Sequence, residues 1–265
     1  MHLELNTFPV GVASLLQWWL ERVCPTLGEK LRTVCVHGSL ALDDFCSGWS
    51  DVDVCVVVND PVSGTEAQAL GAIHDEMGDR FIRAHAAGWR SGQAIEGCYI
   101  PEPLLRDASC QMPCYVAGDC AGRLSTAHPL PPFDREVLAR FGRRLLGPPV
   151  AFARPTREAL AEQTARMLAQ IRGQVSGSPS AIWLCGIQHW LARSLVFWRD
   201  GDLLSKSAAL SRELEQGSPF AVAFELALRI REEGSDVASQ HRAALRRQFD
   251  ECAMVCVAEI ERAIG

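Results

Sequence analysis

The chain has 265 residues, 48% of them hydrophobic and 22% charged, which is room for two domains at roughly 150 residues each and excludes disordered, collagen-like and coiled-coil classes. The net charge is −6, and the whole acidic excess lies in the first part: residues 1–150 carry 12 basic and 18 acidic side chains, residues 151–265 carry 14 of each. That balance argues against general nucleic-acid binding, which runs on phosphate neutralisation by Lys and Arg, and suits metal ions or a cationic small substrate.

Met1-His2-Leu3-Glu4 offers neither a basic n-region nor an apolar h-region, and no run of 18 apolar residues occurs. A cytoplasmic chain with no membrane partner is the expectation. Val12 to Val23 reads as an amphipathic helix with Leu15, Leu16, Trp19 and Leu20 on one face, closed by Pro25. Leu31 to Val36 is a short apolar run rich in β-branched residues, a buried strand, with Gly38-Ser39 directly after it. A polar loop or short helix runs to Ser50, with Asp43 and Asp44 expected in solvent. Val52 to Val58 is a second strand, ended by Asn59-Asp60-Pro61. Residues 64–79 read as helix, and Gln93 to Ile100 as a third strand stopped by Pro101. Residues 104–132 read as irregular. Beyond Pro148-Pro149 the texture changes, with helical periodicity over 156–173, 181–200, 205–215, 219–233 and 236–263. The expected architecture is α+β: a domain at 1–150 with a small mixed sheet flanked by helices, a helical bundle at 151–265, and an active site in the cleft between them.

Eleven cysteines are scattered along the chain without a CxxC. Cys110, Cys114 and Cys120 with His128 fit no common zinc spacing, so buried free thiols are expected. His189, on an apolar helix face, reads as a core histidine, and His37 as a packing residue beside the turn.

The chemistry concentrates between Val34 and Val58. A strand delivers Gly38-Ser39 to a turn, and after ten further residues Ser50-Asp51-Val52-Asp53 opens the next strand. Residues i and i+2 of a strand share a face, so Asp51 and Asp53 project side by side. Two such carboxylates repel unless a cation lies between them, and hard oxygen donors suit Mg²⁺ bridged to substrate phosphates. Gly38 permits close backbone approach to a phosphate, and Ser39 offers a hydroxyl and an N–H. If the third strand pairs beside the second, Glu96 faces the same place as a general base for a hydroxyl or a further metal ligand. The chain has two lysines against 24 arginines, and Lys206, a compact ammonium in an arginine-rich chain, fits a phosphate partner.

Gly38-Ser39 followed by Ser50-Asp51-Val52-Asp53 resembles the signature of the polymerase-beta-type nucleotidyltransferase superfamily, in which a GS turn holds a nucleotide triphosphate and a DxD strand holds two magnesium ions. Trp190 to Arg193, then Gly201 and Ser205-Lys206-Ser207, is similar to the helical domain of the aminoglycoside adenylyltransferases acting on streptomycin and spectinomycin. There a helix arginine and a lysine after a glycine-bearing turn reach the nucleotide phosphates. Arg193 and Lys206 match those positions, and Glu96 matches the strand glutamate that serves as catalytic base. The resemblance implies a nucleotidyltransferase domain at 1–150 completed by the helical domain at 151–265. It implies transfer of AMP from ATP to a hydroxyl of an antibiotic, with Mg²⁺, by a cytoplasmic monomer that confers resistance. It assigns Gly38, Ser39, Ser50, Arg193 and Lys206 to nucleotide binding, Asp51, Asp53 and Glu96 to metal, and Glu96 to catalysis. The streptomycin-acting members place acidic and aromatic contacts just before the arginine-bearing helix. Residues 178–188 here contain Trp183 but no carboxylate to pair a guanidinium, which leaves spectinomycin, a lincosamide or another hydroxylated acceptor open. A protein or tRNA acceptor is an alternative, as is a non-catalytic nucleotide-binding module.

Overall fold

A computed structural model describes residues 5–77, 95–107, 112–117, 123–125 and 130–265. Six strands, β1 (Leu31–Val36), β2 (Val52–Val58), β3 (Ile95–Pro101), β4 (Cys114–Ala117), β5 (Arg123–Ser125) and β6 (Arg143–Leu146), form one sheet in the order β5-β4-β3-β2-β1-β6. Only β2 and β3 pair in parallel; the other pairs are antiparallel. The valine run of β2 is buried on both faces, as an interior strand beside a parallel neighbour requires. The chain is α+β.

Helices α1 (Val10–Leu27), α2 (Gly38–Ala41), α3 (Gly64–Met77), α4 (Pro103–Arg106) and α5 (Pro132–Phe141) accompany the sheet. The face carrying Val54 and Tyr99 packs on α1 and α3. There buried Trp19 donates through Nε1 to His74 Nε2 at 3.4 Å, and the Tyr99 hydroxyl meets the same nitrogen at 3.0 Å. The opposite face carries a row of buried free thiols, Cys35, Cys55 and Cys98 in register across three strands with Cys114 beyond. They pack with Ile100, Leu104, Leu105 and Leu138 of α5. Cys110, Cys120 and His128 lie outside the described residues.

Three expectations change. Pro25 sits inside the last turn of α1, and the helix continues to Leu27. The stretch read as irregular holds α4, β4 and β5, the two strands being only four and three residues long, too short to show alternation. The final helix starts at Arg242, because residues 235–241 wind as a 3₁₀ segment after Gly234.

The second half is helical: α6 (Arg157–Gln174), α7 (Ala181–Asp200), α8 (Lys206–Glu215), α9 (Ala221–Glu233) and α10 (Arg242–Ile264). Thr156, Ser180 and Ser205 each accept a backbone N–H three residues on, capping α6, α7 and α8. Among the described residues no helix is long and apolar enough to cross a membrane.

The chain divides into two compact units, Met1–Leu42 with Ser50–Pro155, and Asp43–Trp49 with Thr156–Gly265. Residues 43–49 therefore belong to the helical unit, although the sheet unit flanks them on both sides. Left-handed backbone marks the detour near both ends, at Asp43 (φ 51°) and Gly48 (φ 83°). Trp49 donates through Nε1 to the Ile230 carbonyl at 3.1 Å and stacks edge-on against His189. His189 is the core histidine its sequence position indicates: it is buried, with Nε2 3.2 Å from the Ala227 carbonyl.

Burial pushes His74 down to about 4. Burial, with the positive charges of Lys206 and Arg231, pushes His189 down to about 3. Both imidazoles fold neutral and gain a proton on unfolding once pH drops below the ordinary histidine value of about 6.5. Their stabilisation is complete above that value and drains away as pH falls toward 4. The thermal midpoint should decline below pH 6.5, and His189→Gln should flatten that acid limb in a pH series of thermal melts.

Candidate active site

The first cluster is built at the end of β1. The His37 backbone N–H donates to the Asp53 carbonyl at 3.0 Å, which fastens the turn to β2. Gly38 follows with φ 60°. A Cβ at this position would lie 1.9 Å from Asp53 Oδ2 and 2.9 Å from its Cγ. The carboxylate of Asp53 occupies the space that any other residue's side chain would need. Next to it, Ser39 Oγ is buried with no hydrogen-bond partner among the described residues, a donor that a phosphate oxygen would satisfy.

Ser50, 6% exposed, leads into the next strand. Asp53 and Glu96 are direct partners in the parallel β2–β3 register, so both side chains leave the same face, one strand spacing of roughly 4.8 Å apart. Asp51 stands two residues earlier, just before β2 begins. All three acids are half-buried. Among the described residues no three His, Cys, Asp or Glu side chains form a ready metal-binding group. Asp53 and Glu96 are thus neighbours on one face, with Asp51 just outside the strand. The donor set fits Mg²⁺, which binds through one or two carboxylates and takes its other ligands from phosphates and water.

His37 does more than pack. It is 5% exposed, on the face of Asp53. Burial alone would lower it, but the hydrogen bond with Cys98 and the negative charges of Asp53 and Asp134 outweigh burial and carry it up to about 9. These neighbours favour the protonated imidazole next to Asp53. Cys98 in turn is held below the usual thiol range by its hydrogen bond with Cys55 and by His37, against the effect of burial. The only sequence signal for this role was adjacency to the GS turn.

The remaining expected residues lie in the helical unit. Lys206 opens α8, whose N-cap Ser205 accepts the Ala208 N–H at 3.2 Å. Arg193 of α7 donates through Nε to the Leu204 carbonyl at 3.0 Å, so it holds the loop that delivers Lys206. Trp183 stacks edge-on against Phe249, with ring centroids 5.7 Å apart, as part of the helical packing. The structure thus gathers Gly38, Ser39, Ser50, Asp51, Asp53 and Glu96 in one unit, and Arg193 and Lys206 in the other.

Residues 19–84 match the nucleotidyltransferase domain family, a span that includes the GS turn and both aspartates. In three dimensions the chain is similar to spectinomycin adenyltransferase AAD(9) from Enterococcus faecialis, solved with ATP and spectinomycin. The TM-score is 0.60 at 12% identity, and the alignment covers 89% of this chain and 98% of that one. No curated protein matches the chain in sequence.

Gly38→Ala should leave the helical content intact and weaken Mg²⁺-dependent ATP binding. A left-handed non-glycine residue alone costs about 1–2 kcal/mol, and the displaced Asp53 carboxylate adds to it. Calorimetric titration should therefore read a loss of about tenfold or more.

Proposed function

We propose that this nucleotidyltransferase, built on the fold of a spectinomycin adenyltransferase, transfers AMP from ATP to a hydroxyl of a small antibiotic of the aminocyclitol or aminoglycoside type, releasing pyrophosphate. The observation that carries the reading is the Asp53–Glu96 register pair, with the GS turn closed against Asp53.

The residues divide the work as follows. The backbone at Gly38 admits a phosphate closely, and the buried Ser39 hydroxyl donates to one of its oxygens. Asp51 and Asp53 would hold Mg²⁺, which when bound would supply positive charge to neutralise the phosphates. His37, when protonated, places a positive charge next to Asp53. Glu96 accepts the proton of the acceptor hydroxyl as that oxygen bonds to the α-phosphorus and the bond to pyrophosphate breaks. Lys206 and Arg193 offset the charge on the departing pyrophosphate, where most of the catalysis of such transfers resides. Positioning and charge compensation then suffice without a covalent intermediate on the protein.

The acidic excess of residues 1–150 favours a cationic acceptor over a nucleic acid. The absence of a carboxylate from residues 178–188 favours acceptors that need no guanidinium partner there, which sets spectinomycin ahead of streptomycin.

Glu96→Gln keeps shape and hydrogen bonding but cannot take a proton. General-base catalysis contributes about 10²–10⁴-fold, so turnover should fall in that range while ATP affinity survives. Asp53→Asn should lose ATP affinity and turnover together. Mass spectrometry of an antibiotic panel incubated with ATP and Mg²⁺ should show one acceptor gaining one AMP. Protein or tRNA labelling without antibiotic modification would reassign the acceptor, and near-normal turnover by Glu96→Gln would remove the base.

A further inference from the structure

Arg231 of α9 is 1% exposed. Its Nε donates to Ser207 Oγ at 2.9 Å, and its Nη2 donates to both the backbone carbonyl and the carboxylate of Asp44, at 2.7 and 2.9 Å. The same Asp44 carboxylate oxygen accepts the Ser207 backbone N–H at 3.2 Å. Ser207 follows Lys206 in the first turn of α8. Asp44 lies in the segment 43–49, five residues after Ser39 and seven before Asp51. One carboxylate therefore ties the connection between the two N-terminal motifs to the helix end that carries Lys206, with a guanidinium from α9 as the clasp. The Asp44 side chain, expected in solvent from its loop position, is 9% exposed.

Net stability does not account for this arrangement. A buried ion pair gives back in attraction little more than its desolvation cost, and an apolar pair of similar volume often serves as well or better. What an apolar pair cannot supply is direction. A planar guanidinium shared among a hydroxyl, a carbonyl and a carboxylate admits one orientation of its partners.

We propose that Asp44 and Arg231 are positioning residues for nucleotide binding. They hold the segment that joins the Gly38-Ser39 turn to Asp51 against the start of α8, and thereby set the contribution of Lys206 to ATP affinity. The proposal rests on the ATP-dependent reading given above and adds a determinant outside the phosphate-contacting residues.

The test uses the full chain and four variants: Asp44→Asn, Arg231→Met, the double variant, and Arg231→Lys. Thermal midpoint, ATP affinity with Mg²⁺ by calorimetry, and KM for ATP and for the acceptor are measured on each. Each single charge deletion leaves its partner buried and unpaired, so both midpoint and ATP affinity fall, the affinity by about tenfold, within the usual range of coupling between sites. The double variant removes both charges and recovers most of the midpoint, while ATP affinity stays at the level of the singles. KM for ATP rises, with kcat and the acceptor KM within a few-fold of wild type. Arg231→Lys keeps the charge but cannot span the three acceptors, so it shows the same loss of affinity even if the single deletions fail to fold. Affinity that recovers together with the midpoint, or that never falls, makes the pair merely structural and overturns the proposal. A wild-type chain that binds no ATP overturns the functional reading itself, before any variant is compared.

Discussion

The in-register parallel pairing of β2 with β3 is the constraint on which the site depends. It sets Asp53 opposite Glu96 and Cys55 opposite Cys98. A slip of one residue would send Glu96 to the face occupied by Val54 and Tyr99 and bring an apolar residue alongside Asp53. Two carboxylates directly across a strand pair are unfavourable by themselves. The register is enforced by what surrounds them: buried valines along β2, Ile95 and Ile100 of β3, and the thiol row that packs beneath α5. The core thus supplies the stability that the acid pair gives up.

The turn at Gly38 is the second part of the same device. Its backbone lies so close to Asp53 that the carboxylate takes the place of a Cβ, and the His37 N–H ties it to the Asp53 carbonyl. The hydroxyl of Ser39 and the acid of β2 are therefore placed by one short piece of backbone. The buried His37, when protonated, adds a positive charge next to Asp53. Between Ser39 and Asp51 the chain departs into the helical unit and returns, anchored there by Asp44 and Trp49.

Local pattern was enough for β1 and β2, whose bounds coincide with the apolar runs between turn residues, and for the helices with serine or threonine caps. It also led to the expectation that Asp51 and Asp53 share a face, from strand period alone, although β2 begins only at Val52. It could not place Glu96 beside Asp53, since register is a property of two strands. Asp44 reads as a solvated loop acid because its partner, Arg231, is 187 residues away. His37 reads as packing because its charge state comes from Asp53, Cys98 and Asp134, which three other elements bring to it. The strands β4 and β5 are too short to carry a period and depend on the edge of β3 for their pairing.

All of this converges on one claim, that the acid pair and the GS turn serve attack at the α-phosphorus of ATP. Parallel incubations with ATP labelled at the α- or the γ-phosphate, with Mg²⁺ and a modified acceptor, test it directly. The account predicts α-label on the acceptor and γ-label released in pyrophosphate. Label from the γ-phosphate on the acceptor, with ADP as the second product, would contradict it.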